Sequence, residues 1–404
     1  MTTTVLPAAS ANWLLPFAAT LTAMFALQLS NLGFSPLLPS IQQEFGMSYT
    51  QLGLFTGLYG LLAILLSVPA GVSARRFGER RVLALGLLGV AAGSVLLGEA
   101  WSFGSAIAFR GLTIFGYRFA FVSVLIAVAL TAPPSLRGRT MGVLGATSAL
   151  ASVVGAPLGG VLVGEFGWRR AILGYAAMAV LGAMVFWLFY RPTADDVKSA
   201  TGHTVHGAAR GSRSAFLSPV VWMIALVVGL GGFGQFTVTY FVPSVASALY
   251  GLDATAAGVI ISTGYLTAIV VNLGVGLLAD RFNKLVVLGL VFIILSVASA
   301  SMAIEDLLIF RVATATVIGL GFTAANQLYG LAGSVMPRHE AGHAMGVVSL
   351  GAGLFGYVGP QMLGILRDQT GSFAAGFYMV AVADVMTLTL IAVLYRMTRG
   401  VTHI

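Results

Sequence analysis

Apolar runs of about twenty residues recur along this chain, each bounded by a few polar or charged positions. A run of that length is what an α-helix needs to cross the ~30 Å hydrocarbon core of a bilayer. Twelve such spans are predicted, at about 13–38, 50–72, 81–98, 103–131, 140–163, 171–190, 218–246, 255–278, 284–301, 307–334, 342–365 and 373–395. Lipid offers no partner to an unpaired backbone group, so helices are expected throughout. The pattern predicts an all-α membrane protein.

One stretch breaks the rhythm. Residues 191–217, RPTADDVKSATGHTVHGAARGSRSAFL, are polar and rich in glycine, serine and charge, the composition of a flexible linker. They divide the spans into an N-terminal six-helix bundle over 1–190 and a C-terminal six-helix bundle over 218–404, joined by a cytoplasmic linker. The halves also match each other. A shift of about 204 residues lays LLPSI around Pro39 on FVPSV around Pro243, GRTMGV from Gly138 on GHAMGV from Gly342, and Gly167 on Gly371. At nearly the same offset GVSARRFGERR from Gly71 meets GLLADRFNK from Gly276. Two pseudo-symmetric six-helix bundles in one chain are the build of an alternating-access transporter, with the substrate held near the midplane between them.

Charge orients the spans. Only 8% of the residues are charged and 58% are hydrophobic, where soluble domains carry about a quarter charged residues. With the N-terminus inside, fifteen of the 21 Lys and Arg fall on one side, from Arg75, Arg76, Arg80 and Arg81 to Arg396 and Arg399. The other side receives Arg169, Arg170 and Arg367 together with most of the acids. The basic excess therefore marks the cytoplasmic face of an inner membrane, with both termini inside, and not a nucleic-acid surface. The first basic residue is Arg75, so no basic segment precedes the first apolar run, which is expected to remain as a membrane helix. All five tryptophans (Trp13, Trp101, Trp168, Trp187 and Trp222) fall near predicted helix ends, where an indole buries its ring and keeps its N–H wet. The absence of cysteine excludes disulfides and thiolate metal sites. No cofactor is expected, and the clustered His, Asp or Glu of an intramembrane enzyme is missing.

The segment GLLADRFNK, Gly276 to Lys284, resembles the loop motif Gly-x-x-x-Asp-Arg-x-Gly-Arg-Arg/Lys of the major facilitator superfamily. GAPLGG at Gly155 to Gly160 resembles that family's Gly-Pro-rich motif, with GYVGPQMLG at Gly356 to Gly364 as its counterpart. The resemblance implies the twelve-helix fold of that family and a monomeric carrier. It implies a charge latch at Asp280 and Arg281, whose first-half counterpart has Arg75 and Arg76 with no acid. It also implies bending points at Gly155, Pro157, Gly359 and Pro360. Arg110 matches the position of the family's membrane arginine, although Ile114 stands where a glycine is usual.

Four ionisable residues lie well inside the spans: Arg110, Arg118, Arg311 and Asp384. Lipid exposure of such a charge costs at least ~2.5 kcal/mol, so each should line a cavity or find a partner. Arg118 is at about the midplane of the fourth span, ~12 Å deeper than Arg110 and turned ~80° from it, so both can face one cavity. No acid stands in the membrane part of the first half, and a guanidinium cannot shed its proton. A bound anion, a carboxylate or small oxyanion, is its natural partner. Arg110 also suits a structural strut on helix carbonyls, Arg311 an entrance position, and Asp384 a structural hydrogen bond. Gln28, Asn31, Gln235, Asn326 and Gln361 supply polar orientation, and Tyr117, Tyr240, Tyr265 and Tyr329 can bracket a substrate. The expected function is transport of a small anion, by exchange for a counter-anion or coupled to protons; the alternative is a drug:proton antiporter.

Overall fold

The computed structural model describes residues 13–133, 136–191, 219–335 and 341–398. Among them every regular element is helical. Apart from Arg191, the linker 191–217 lies outside the described residues, as does the Asp280 side chain.

The twelve predicted spans are all present. They are α1, Leu14–Glu44; α2, Tyr49–Phe77; α3, Glu79–Gly98; α4, Phe103–Thr131; α5 and α6, which together make up Arg137–Phe189; α7, Pro219–Tyr250; α8, Ala254–Arg281; α9, Lys284–Ser301; α10, Leu307–Val335; α11, Ala341–Thr370; and α12, Ala374–Thr398. The α5–α6 stretch contains two crossings parted by one non-helical residue, Gly167, at φ 75° and ψ 161°. Only glycine takes that conformation freely. The polar GEFGWRR predicts a short loop there, and the structure has this single-residue joint instead.

The repeat is visible in the backbone. Gly167 and Gly371 (φ 71°) are 204 positions apart, and Gly46 (φ 59°) and Gly251 (φ 61°) are 205 apart, and all four have positive φ. Ser35 Oγ donates to the carbonyl of Thr239, 204 residues on, at 2.8 Å. Equivalent positions touch each other only beside the pseudo-two-fold axis, so this contact marks where the axis passes.

Small residues set the packing. Along α3 and α4, a Cβ on Gly116 would come 2.5 Å from the Val90 nitrogen, so the two backbones are in direct contact. Gly116 thus points at α3, and Arg118, two residues and ~200° further round, points away from α3 into the molecule. The outer surface is apolar, with Leu273 71% and Val297 66% exposed, as a lipid-facing surface must be.

The bundles meet at one end only. One apolar cluster, with Phe34, Phe55, Tyr240, Phe241, Tyr265 and Phe373, joins both halves at the end away from the basic loops. Towards the basic loops the clusters separate, one confined to the first half and one to the second. At the joined end α2 crosses α11, where a Cβ on Gly60 would lie 2.5 Å from the Gly353 carbonyl oxygen, and α5 crosses α8, where Ser262 Oγ donates to the Val153 carbonyl at 2.8 Å. Near the basic end, a Cβ on Gly142, Gly145, Gly274 or Gly346 would meet no described residue within 4 Å. The cleft between the bundles is therefore sealed at the far end and open towards the basic loops.

Candidate substrate site

Below the sealed end, α4 carries two arginines. The Arg118 guanidinium lies 4.2 Å from the centre of the Tyr59 ring on α2, and its Nη2 makes one long contact, 3.4 Å, to the Tyr59 carbonyl. It is half-buried, and its Nε is sealed without a hydrogen-bond partner. Arg110, nearer the closed end, is 2% exposed and stacks at 3.8 Å on Phe34. Its Nε is also sealed and unpartnered. Stacking on an aromatic face gives a guanidinium about 0.5–2 kcal/mol but satisfies none of its N–H groups.

Polar groups from both halves close round this pair. Tyr117 donates to Gln28 Oε1 on α1 and packs edge-on against Tyr59. Tyr240 on α7 is buried and within electrostatic reach of Tyr59, Arg110 and Arg118. Tyr265 on α8 is buried beside Thr239 and Gln235, with Phe322 of α10 edge-on to its ring. Tyr329 on α10 pairs with Ser349 of α11 and is within electrostatic reach of Arg118. Seven helices thus contribute to one arginine-centred chamber.

The remaining sequence candidates are placed differently. Asn31 is half-buried on α1, one turn from Gln28. Asn326 is exposed, one turn from Phe322 towards the opening. Gln361 sits at the α2–α11 crossing, its backbone against Gly53 and its Oε1 buried without a partner, so it belongs to the seal. Arg311 is exposed, and no hydrogen bond or ring contact to it is found among the described residues. Asp384 is 2% exposed and accepts from Ser299 Oγ at 2.9 Å, between α9 and α12 and beside Gly234 of α7, well away from the arginines. Pro157 lies where α5 crosses α8 and Pro360 where α11 crosses α2, both in the seal, whereas Gly155 packs on α1 and Gly359 on α7, each within its own bundle. Arg75, Arg76 and Arg281 are exposed at the open end.

Sequence reasoning missed four side chains of the chamber, Tyr59, Phe34, Phe322 and Ser349, and the fastening of the seal. Tyr59 stands 206 residues before Tyr265, near the repeat period, and that spacing was the available signal. Phe34 had none. At the seal, Asp368 of α11 accepts the backbone N–H groups of Tyr49 (3.0 Å) and Thr50 (2.7 Å), the first two of α2. Ser48 takes the third, from Gln51, in a capping box. The orphan donors of a first-half helix are therefore capped by a second-half carboxylate. Arg169 joins Glu44, at 2.6 Å, in the one ion pair found among the described residues, and also donates to the Gly98 and Ala100 carbonyls. Trp168 is 5% exposed and its indole N–H donates to Glu44, so this tryptophan is not an interfacial anchor with a wet N–H, as its place near a helix end suggests.

The sequence model of the Major Facilitator Superfamily matches residues 19–360 and 247–401. The chain belongs to this superfamily. This facilitator is 25% identical over 392 residues to the 2-nitroimidazole transporter of Escherichia coli (strain K12), covering 93% of this chain and 94% of the relative. It is 24% identical over 375 residues to a probable nitrate transporter, NarT, of Staphylococcus haemolyticus (strain JCSC1435), covering 90% and 92%. Its fold matches the crystal structure of a bacterial homolog to the human lysosomal transporter Spinster, in an inward-facing and occupied conformation, with TM-score 0.77 and 16% identity over 95% of this chain and 96% of the other. The facilitator is a multi-pass membrane protein.

Proposed function

We propose that this facilitator carries a small organic or inorganic anion across the inner membrane by alternating access between its two bundles. The observation that supports the reading is Arg118: a midplane guanidinium, half-buried, stacked on Tyr59 and holding only one long contact to a carbonyl. A charge that deep in a membrane protein marks a substrate path. Gln28, Tyr117, Tyr240 and Tyr265 supply the neutral donors and acceptors that orient an anion beside it. The relative named for nitrate agrees with this reading.

With both termini and the basic loops in the cytoplasm, the state described is open inward. Lipid surrounds the bundles, and a monomer is sufficient for the cycle. The empty chamber carries an unneutralised arginine, so reorientation with an anion bound on each crossing costs less than reorientation without one. Exchange of one anion for another follows, with proton-coupled uptake as the competing scheme. A drug:proton antiporter needs a carboxylate lining the chamber, and the mid-span Asp384 is engaged by Ser299 outside it.

Proteoliposomes test the assignment. Vesicles containing the purified protein are loaded with unlabelled carboxylates or oxyanions, and uptake of the labelled anion is followed. Arg118→Ala is expected to abolish uptake, and Arg118→Lys to reduce it at least about tenfold, because an ammonium replaces a planar fork with a point donor. Unchanged uptake in Arg118→Ala ends the proposal. Fast uptake into vesicles holding no internal anion, driven by a pH gradient, refutes exchange and leaves proton coupling.

A further inference from the structure

The two arginines of α4 also constrain the charge of the occupant. Arg118 faces the open end, and Arg110 lies two turns deeper against the seal. Tyr59 and Tyr240 are each within electrostatic reach of both guanidiniums. Neither arginine has a carboxylate partner among the described residues, where the single ion pair joins Glu44 to Arg169. The one mid-span acid described, Asp384, is held by Ser299 on the far side of α7. Both side chains keep the proton at any working pH. The chamber therefore holds two fixed positive charges, and a single negative charge at Arg118 would leave the more deeply buried one uncompensated.

Resting on the reading that Arg118 binds an anion, we propose that the site selects dianions: short molecules with an acidic group at each end, one on Arg118 and the other on Arg110. Eight residues of helix separate the Cα atoms of the two arginines by ~12 Å along the axis, a spacing that suits a short molecule with an acidic group at each end. The hydroxyls of Tyr59 and Tyr240, near both guanidiniums, suit a polar group on the connecting carbons. Arg110 is then a specificity residue: it discriminates by the second charge.

The test pairs each diacid with the same molecule carrying one charge fewer. Full-length protein in nanodiscs is titrated calorimetrically with succinate, glutarate, adipate and sulfoacetate, and with the monomethyl ester at the carboxylate of each. At least one diacid is expected to bind about tenfold or more tightly than its ester. Arg110→Gln is expected to collapse that ratio towards one, and Arg110→Lys, which restores the charge, to recover part of it; a structural strut predicts no such recovery. Arg118→Gln is expected to weaken diacid and ester alike. A wild-type ratio near one, binding of none of the diacids, or a ratio unchanged in a folded Arg110→Gln variant overturns the inference. If monoanions still bind through Arg118 in that case, the anion-carrier reading stands without it. If no anion's affinity depends on Arg118, both fall.

Discussion

Replacing Asp368 by Asn should move the equilibrium between the two faces of the carrier, because the carboxylate caps a helix of the opposite bundle only while the far end is sealed. In the sealed state its two oxygens accept from Tyr49 and Thr50, at 3.0 and 2.7 Å, and bring a negative charge to the positive end of α2. When the bundles part at that end, water takes over both N–H groups. The amide of Asn keeps one acceptor and loses the second together with the charge. A lost cap is worth typically ~1 kcal/mol and the charge–dipole interaction a further ~0.3–1 kcal/mol. Asp368 is exposed, so water screens the charge and the lower end applies: about 1–1.5 kcal/mol, a five- to tenfold shift away from the sealed state. The chain has no cysteine, so spin labels attached through Gln43→Cys on α1 and Ser372→Cys beside α12 are unambiguous, and their distance distribution reports both populations. Asp368→Glu should move the equilibrium less than Asp368→Asn. Populations that agree within about twofold between wild type and Asp368→Asn would refute the reasoning, since one hydrogen bond and a charge cannot vanish from one state alone without effect.

Three further outcomes are expected. Tyr59→Phe keeps the ring under Arg118 and should change anion affinity less than about threefold, whereas Tyr59→Ala removes a cation–π contact of ~0.5–2 kcal/mol and should weaken binding two- to thirtyfold by titration calorimetry. Gly60→Leu places a Cβ 2.5 Å from the Gly353 carbonyl oxygen and should hold the far end open, seen as a longer label distance across α2 and α11. Asp384→Asn still accepts from Ser299 and should retain transport with an unchanged pH profile in proteoliposomes; loss of the pH dependence would assign Asp384 to proton movement.

Much of the architecture was legible because a membrane imposes a length rule on each apolar run, and the spans of α4 and α9 coincide with their predicted ranges. Breaks inside a run were not. Hydropathy ends the first span at about residue 38, yet helix continues to Glu44 through a turn of 3-10 helix at Ser35–Leu37, which carries Phe34 and Ser35 to the axis. Of the site, the arginine face of α4 was readable because a charge in lipid has few explanations. The partners were not: Tyr59 is one phenol in an apolar helix, and the choice of Phe34 under Arg110 depends on that turn. The Asp368 cap joins residues 319 positions apart, and no local pattern encodes it. Glu44 and Arg169 read as ordinary loop charges, since their pairing depends on the one-residue passage from α5 to α6.

That passage constrains how the molecule can be altered. A joint of one residue fixes the rotational phase of α6 against α5, whereas the equivalent turn between α11 and α12 spans three residues, 371–373, and shares only the positive-φ glycine. Each residue added to a helix turns everything after it by ~100°. A single codon inserted beside Gly167 would therefore swing the lipid-facing side of α6, with Trp187 and Leu188, towards its neighbours, and draw Tyr175, Phe186 and Tyr190 out of the core. A tag, a reporter domain or a circular permutation placed at Gly167 should abolish insertion into the membrane altogether. In a carrier built from two repeats, this turn is the position at which the coding sequence has the least freedom to change length.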